Sequence, residues 1–349
     1  MDCIRSDLLQ LTPYSAEHYD EVEDKLDANE VAVDLPLPLK QKLAQELTDR
    51  LSTNRYPDGS YTDLRQAVSE YAGVGREWIS LGNGSDELIR SVLIASCLGK
   101  GGILIATPTF SMYSILAQTL GIPVHIVGRS EVDFTIDIAA AQHTIKTEKI
   151  AAVFVVHPNS PTGNLLSKTE IEWLRSLPRE ILVVVDEAYY EFAGHSLVGE
   201  IGEQGNWVIL RTFSKAWRLA AFRLGYAIAD PAVIRVLETI RLPYNLPTIT
   251  AIGGELVLAH RQELLSLVEE IRQEREKLYQ ALQKLPQLQV WQSEANFLYV
   301  RTPDDRKLQQ HLAQVGTLIR HTGGGLRITI GTPAQNQRTI ERIYSFYKG

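Results

Sequence analysis

The segment Thr212-Phe213-Ser214-Lys215-Ala216 follows directly on the apolar run Val208-Ile209-Leu210, so Lys215 sits where a strand is expected to end. In an open α/β sheet, ligands bind outside the carboxyl ends of the strands. A lysine partly desolvated there has its pKa lowered enough to form an imine with a carbonyl compound. Asp186 closes the run Ile181-Leu182-Val183-Val184-Val185, and Asn159 follows another in His157-Pro158-Asn159-Ser160-Pro161. A carboxylate at that edge suits a protonated ring nitrogen, keeping the ring positive so that it draws electrons from a substrate carbanion. Asn159 and Tyr189 could donate hydrogen bonds to a phenolate oxygen of such a ring. Taken singly, each residue has a plain alternative: a solvated loop lysine, an aspartate capping the next helix, an asparagine and a tyrosine in ordinary packing.

An anion cradle is offered by Gly82-Asn83-Gly84-Ser85-Asp86-Glu87-Leu88-Ile89, where glycines lead at once into a helical apolar pattern. Backbone N–H groups at such a helix start bind phosphates. The spacing is neither the Gly-x-Gly-x-x-Gly fingerprint nor a Gly-Lys-Ser/Thr loop, which removes the usual support for a nucleotide. Ser214 and Arg223 could complete the cradle, and a surface ion pair is the other reading of Arg223.

These side chains need elements to hold them. From about residue 82 to 230, β-rich runs at 102–106, 124–127, 150–157, 181–186, 208–213 and 223–229 alternate with helical patterns. That alternation predicts a largely parallel sheet covered on both faces. The run 181–185 is continuously apolar rather than alternating, as a strand buried on both faces is. Ser167-Lys168-Thr169-Glu170 has the spacing of a capping box, and Asp230-Pro231 is an N-cap followed by proline, so helices are predicted to start at both. Beyond Thr248, helical stretches run to about Lys284, followed by predicted strands at 290–300, 318–320 and 326–330. Pro243 and Pro247 place a break near 245. The expected division is an N-terminal arm, 1–35, returning to the smaller domain, a large domain, 36–245, and a small α+β domain, 246–349.

The 349 residues suffice for two cored domains, and a net charge of −7 leaves no global basic field to hold nucleic acid or an anionic membrane. Any anionic ligand must meet local positive charge. Cys3 and Cys97 are too few for a disulfide scaffold, and neither they nor the eight histidines show metal-ligand spacing, so no metal is expected. The N-terminus lacks a signal-like apolar stretch and no run reaches about 18 apolar residues, so the expected location is the cytoplasm, away from membranes.

Jointly these segments resemble the fold-type I aminotransferases, and among them the histidinol-phosphate aminotransferases, over nearly the whole chain. The order and spacing of several motifs carry the resemblance: Lys25-Leu26-Asp27-Ala28-Asn29-Glu30, Arg55-Tyr56-Pro57-Asp58-Gly59, the 82–89 loop, Pro108-Thr109-Phe110-Ser111-Met112-Tyr113, the Asn159 segment, Asp186-Glu187-Ala188-Tyr189, Ser214-Lys215-Ala216 and Leu326-Arg327-Ile328-Thr329-Ile330-Gly331-Thr332. It implies an α/β fold with a mostly parallel seven-stranded sheet in the large domain. It implies pyridoxal 5'-phosphate on Lys215, with its phosphate held by Gly84, Ser85, Asp86, Ser214 and Arg223. Asp186, Asn159 and Tyr189 would face the ring and Tyr113 would stack on it.

By the same resemblance, Tyr56 reaches the cofactor of a neighbouring subunit, which implies a homodimer with shared sites. Arg327 and Arg320 would hold the substrate's anionic end, with Asn29 and Tyr14 also on the substrate. The implied reaction is transamination between L-histidinol phosphate and 2-oxoglutarate. The cofactor residues alone would also suit an aromatic amino-acid aminotransferase, a threonine-phosphate decarboxylase, or a catalytically silent cofactor-binding regulator. Two departures from the family pattern stand out: Glu30 is followed by Val31-Ala32 rather than asparagine-proline, and only His321-Thr322-Gly323-Gly324-Gly325-Leu326 separates Arg320 from Arg327.

Overall fold

The computed structural model describes residues 3–11 and 22–348. Its centre is a seven-stranded sheet in the order Ile79–Asn83, Leu224–Ala229, Trp207–Thr212, Leu182–Asp186, Ile150–Val156, Gly102–Ala106, Val124–Val127. Leu224–Ala229 runs antiparallel to both its neighbours and the other pairings are parallel. The middle strands are buried along their whole length, and Val183, Val184 and Val185 are inaccessible to solvent. Each such valine contributes about 1.5–3 kcal/mol by burial, so the register that brings Asp186 to the strand end is held firmly. The strand Ile79–Asn83 lay outside the predicted runs because its glycine and asparagine read as a loop.

The helix starts follow their local chemistry. Ser167 and Glu170 form the full capping box of the helix Lys168–Arg175, and the Asp230 side chain accepts from Ala232 N–H at the head of Pro231–Ile240. Beyond the sheet, Gln289–Trp291, Phe297–Arg301, Gly325–Thr329 and Arg320–Thr322 form a four-stranded antiparallel sheet. The single strand predicted at 290–300 is therefore two. The chain turns at Ser293, whose hydroxyl accepts from Ala295 N–H, while Glu294 N–H donates to Gly163 O.

The predicted break near 245 is not where the core changes. Leu246, Val257, Leu258 and Leu264 pack with Val68 and Leu224 against the large sheet, whereas Val268, Ile271 and Leu278 pack with Phe297 and Ile328. The helix Thr248–Ala259 fits closely there: a Cβ on Gly254 would lie 2.5 Å from Leu224 Cδ2. Near the N-terminus, Asp24–Lys25 pairs in parallel with Thr317–Leu318, and the buried Asp24 carboxylate takes both Arg338 and Arg342 of the last helix. No helix among the described residues is long and apolar enough to cross a membrane.

Candidate active site

A cavity of about 310 Å³ opens at the carboxyl ends of the central strands, and Lys215, Asp186, Tyr189, Ser85, Asp86, Ser214, Arg223, Arg320 and Arg327 all line it. Lys215 follows the strand Trp207–Thr212 and points its Nζ at the carbonyl of Ala28, 2.8 Å away. Burial holds its pKa below the usual lysine range, with Arg327 and Arg223 pushing the same way and Tyr189 opposing. A larger share of the amine is thus neutral, the form that attacks carbonyls and accepts protons.

Asp186 is almost wholly buried. Burial pushes its carboxyl up to about 6, against the hydrogen bonds it receives from Tyr113 Oη (2.6 Å) and Ala188 N–H (2.9 Å). Among the described residues no cation pairs with it. A buried carboxylate facing a cavity without a counter-charge is built to receive a cation from a ligand.

At one end of the cavity the helix Gly84–Ser96 presents its first turn. Gly84 has φ +72° and donates its N–H to Arg223 O at 2.8 Å; a Cβ there would meet Arg223 Nη2 at 2.7 Å. Gly225 is as constrained, since a Cβ would lie 2.6 Å from Ser85 N. These glycines let the helix start, Ser214 and the Arg223 guanidinium close on one spot, with Arg223 Nη1 donating to Ser214 Oγ at 3.2 Å. Free N–H groups, hydroxyls and a guanidinium are the donor set for a phosphate.

The remaining wall comes from far along the chain. Arg320 and Arg327 stand directly opposite each other across the antiparallel pair Arg320–Thr322 and Gly325–Thr329. Arg327 Nη2 donates to Asp27 O at 2.6 Å and Nη1 to Ser160 Oγ at 3.2 Å. The short glycine turn has a steric cause as well: Gly323, at φ +62°, lies so close to the large sheet's loops that a Cβ would meet Pro161 and Pro108 at 2.8 and 2.9 Å. Its carbonyl also accepts from Tyr299 Oη at 2.5 Å.

Several expected residues stand elsewhere. Tyr113 does not face the cavity: it lies in the first turn of the helix Met112–Thr119, has no solvent exposure, and spends its hydroxyl on Asp186. Phe110, one helical turn earlier and still in the loop, lines the cavity in its place. Asn159 is buried behind the wall with its amide fully engaged. Its Nδ2 donates to Thr162 Oγ1 (2.6 Å) and Pro108 O (3.1 Å), and its Oδ1 accepts from Thr109 Oγ1 (3.1 Å) and Arg129 Nη2 (3.4 Å). It ties together the loops that carry Phe110 and Ser160 rather than reaching into the cavity. Asn29 is also buried outside the cavity lining, donating to Tyr189 Oη at 2.8 Å. Tyr56 stands away from this cavity, 80% exposed and stacked on Tyr244 with ring centroids 4.6 Å apart. Tyr14 lies outside the described residues.

Sequence reasoning missed Phe110, Ser160 and Arg129 as contributors. Ser160 lies inside a motif already singled out. Arg129 had no signal, being a lone arginine in a polar stretch. It is buried, its pKa is pushed down to about 10 by that burial, and it donates to Ala106 O and Phe134 O as well as to Asn159.

A cavity with a desolvated lysine, an uncompensated buried carboxylate, an aromatic wall and a phosphate-type cradle defines a cofactor-dependent enzyme of amino-group chemistry. Comparison with known proteins agrees. Residues 24–343 match the family model for aminotransferase class I and II. The histidinol-phosphate aminotransferase of Trichodesmium erythraeum is 54% identical, with 99% of each chain covered, and that of a Synechococcus species is 53% identical, with 97% of each covered. The crystal structure of histidinol-phosphate aminotransferase from Sinorhizobium meliloti, in complex with pyridoxal-5'-phosphate, superposes with a TM-score of 0.87 over 99% of both chains at 21% identity, which shows a shared fold. The chain belongs to the class I and II aminotransferases, and within them to the histidinol-phosphate aminotransferases.

Proposed function

We propose that this chain transfers an amino group between L-histidinol phosphate and 2-oxoglutarate, giving imidazole-acetol phosphate and L-glutamate, in L-histidine biosynthesis. The observation that carries the reading is one cavity in which Lys215 and Asp186 share space with two separate anion grips, one around Ser85, Ser214 and Arg223 and one at Arg320 and Arg327. A cofactor phosphate and a substrate anion can be held at the same time.

Pyridoxal 5'-phosphate, when bound, supplies the electron-withdrawing ring that takes up the electron pair left by the broken substrate bond. The residues present suit it. Ser85, Asp86 and the helix start around them, with Gly84, Ser214 and Arg223, would hold the phosphate. Asp186 would face the ring nitrogen, whose charge favours the ionised carboxylate and reverses the upward pull of burial. Phe110 would cover a ring face, and Tyr189 would donate to the ring oxygen.

Lys215 Nζ would anchor the cofactor and, as a neutral amine, would carry the α-proton as general base and acid. Its lowered pKa keeps enough neutral amine to do both. Arg327 and Arg320 orient the substrate, since guanidinium groups bind both phosphate and carboxylate through paired N–H donors. One site can thereby accept two differently shaped anions in turn. Asn159 and Arg129 stiffen the wall behind Phe110 and Ser160.

The enzyme is proposed to act as a cytoplasmic homodimer, with Tyr56 of each subunit completing its neighbour's site. An 80% exposed tyrosine stacked flat on the exposed Tyr244, with Leu242 and Ile249 exposed in the same stretch of chain, supports this. Mixing inactive Tyr56→Ala and Lys215→Ala proteins is then expected to restore up to about a quarter of wild-type activity through hybrid dimers, each with one intact site. Failure to restore any activity after verified subunit exchange would contradict shared sites. The substrate assignment is tested by assaying glutamate formation from histidinol phosphate and 2-oxoglutarate. Carbon dioxide release from O-phosphothreonine, or turnover of phenylalanine without histidinol phosphate, would contradict it.

A further inference from the structure

Asn29 is wholly buried and left-handed, with φ 54°, a conformation asparagine tolerates better than most residues. Its carbonyl accepts from Asn296 Nδ2 at 3.0 Å, which fixes the backbone. Its side-chain orientation is set by a chain of hydrogen bonds that satisfies every buried group in one direction. Thr329 Oγ1 accepts from Asn29 N–H at 3.0 Å and donates its own proton to Asn29 Oδ1, 3.1 Å away; among the described residues no other acceptor is found for that buried proton, which a turned-over amide would leave unsatisfied. Since Oδ1 faces Thr329, Nδ2 must face the other way, where Tyr189 Oη lies at 2.8 Å.

An amide NH2 group only donates. Tyr189 Oη therefore accepts from Asn29, and its own proton must point elsewhere. No protein acceptor for that proton is found among the described residues, and Tyr189 lines the cavity. The ring itself is held edge-on against Phe297 with centroids 5.0 Å apart, so the hydroxyl has little freedom to reorient by moving the ring.

We propose that Asn29 is a positioning residue that sets the direction of the Tyr189 O–H bond, so that the proton is presented to the anionic ring oxygen of the cofactor. This rests on reading the cavity as the pyridoxal-phosphate site. Thr329 belongs to the same device, since its hydroxyl is what prevents the Asn29 amide from turning over. The device draws its parts from the N-terminal segment, the seven-stranded sheet and the smaller sheet, so Tyr189 is correctly polarised only when all are in place.

The test is the pH titration of the visible absorption of the purified, cofactor-loaded enzyme. A donor on the ring oxygen withdraws the negative charge that helps retain a proton on the neighbouring lysine–cofactor linkage, so losing the donor raises the titration midpoint. Asn29→Asp keeps size and backbone preference but replaces a donor by an acceptor, which draws the Tyr189 proton away from the cavity. The midpoint is expected to rise by about one pH unit. Because the new carboxylate also adds charge, the same change is made in a Tyr189→Phe background, where reorientation is impossible and the shift is expected to vanish. Thr329→Val, which frees the amide to turn while leaving Asn29 in place, is expected to raise the midpoint by less, and serves if Asn29→Asp does not fold. Unshifted midpoints in both single variants, or a full shift that persists without the Tyr189 hydroxyl, would overturn the proposal. A wild-type protein that shows no visible band with added pyridoxal phosphate would overturn the cofactor reading together with it.

Discussion

The two walls of the cavity are built in different ways. One consists of strand ends of a single buried sheet: Asp186 and Lys215 each follow an apolar run that cannot slip without exposing its valines and isoleucines. The other is assembled from the N-terminal segment 24–30, the Asn159 loop and the hairpin bearing Arg320 and Arg327. It is held by polar contacts such as Arg327 to Asp27 O and Ser160 Oγ. The first wall places reactive groups where desolvation changes their protonation, as with Asp186 and Lys215. The second places charge where an incoming anion can exchange with bonds already present. The reacting groups thus sit on the rigid wall, and the arginines that meet the substrate anion sit on the composite one.

Changes at Lys215 and Asp186 should accordingly affect turnover and the cofactor, and changes at Arg320 and Arg327 should affect binding. The largest effect is expected for Lys215→Ala, which should lower turnover by more than about 10⁴-fold and abolish the visible band of the lysine-linked cofactor, measured by single-turnover kinetics and spectroscopy. Multiple turnovers at a normal rate would break the comparison at its strongest point. Arg327→Ala should reduce kcat/KM by about 100-fold for both histidinol phosphate and glutamate, as expected for losing charge-assisted hydrogen bonds to an anion. The visible spectrum should stay unchanged. A loss confined to one of the two substrates would show that their anions are held at different places.

The smallest effect is on stability and has a defined sign. Because burial raises the Asp186 pKa from 3.8 to about 6, the folded cofactor-free protein binds a proton there that the unfolded chain has released. Stability is therefore lost as pH rises from about 4 to 6. Asp186→Asn should make the cofactor-free protein more stable at pH 8 by up to about 3 kcal/mol, with the gain fading toward pH 4, as read by urea unfolding. A variant less stable than wild type at pH 8 would show that the carboxylate is compensated by something other than a bound cofactor.

Legibility in the sequence follows the same division. Continuous apolar runs marked the strands 181–186 and 208–213, and whatever followed them was bound to lie at the sheet's edge. The capping box at Ser167 and the Asp230-Pro231 start were local signals with local causes. The composite wall has no such signal. Asn29 meets Tyr189 across 160 positions and Thr329 across 300, and nothing in either neighbourhood announces the contact. In the stretch 108–113, two aromatics lie three residues apart, and the choice between them depends on where the helix Met112–Thr119 begins. With Phe110 left in the loop and Tyr113 in the first turn, Phe110 faces the cavity and Tyr113 faces Asp186. Asn159 was identified by its place after a strand, but its fully engaged amide required knowing where Thr162 and Arg129 lie.

The central claim is that this cavity takes an amino group from two different anionic amines through a cofactor held at Lys215. The most direct test is the absorption spectrum of the purified cofactor-loaded protein, recorded before and after L-glutamate and, separately, L-histidinol phosphate. The expected result is a visible band that both amines convert to the ultraviolet absorption of the aminated cofactor. Conversion by glutamate alone would contradict the substrate assignment, and a protein that shows no band with added pyridoxal phosphate would contradict the account of the site itself.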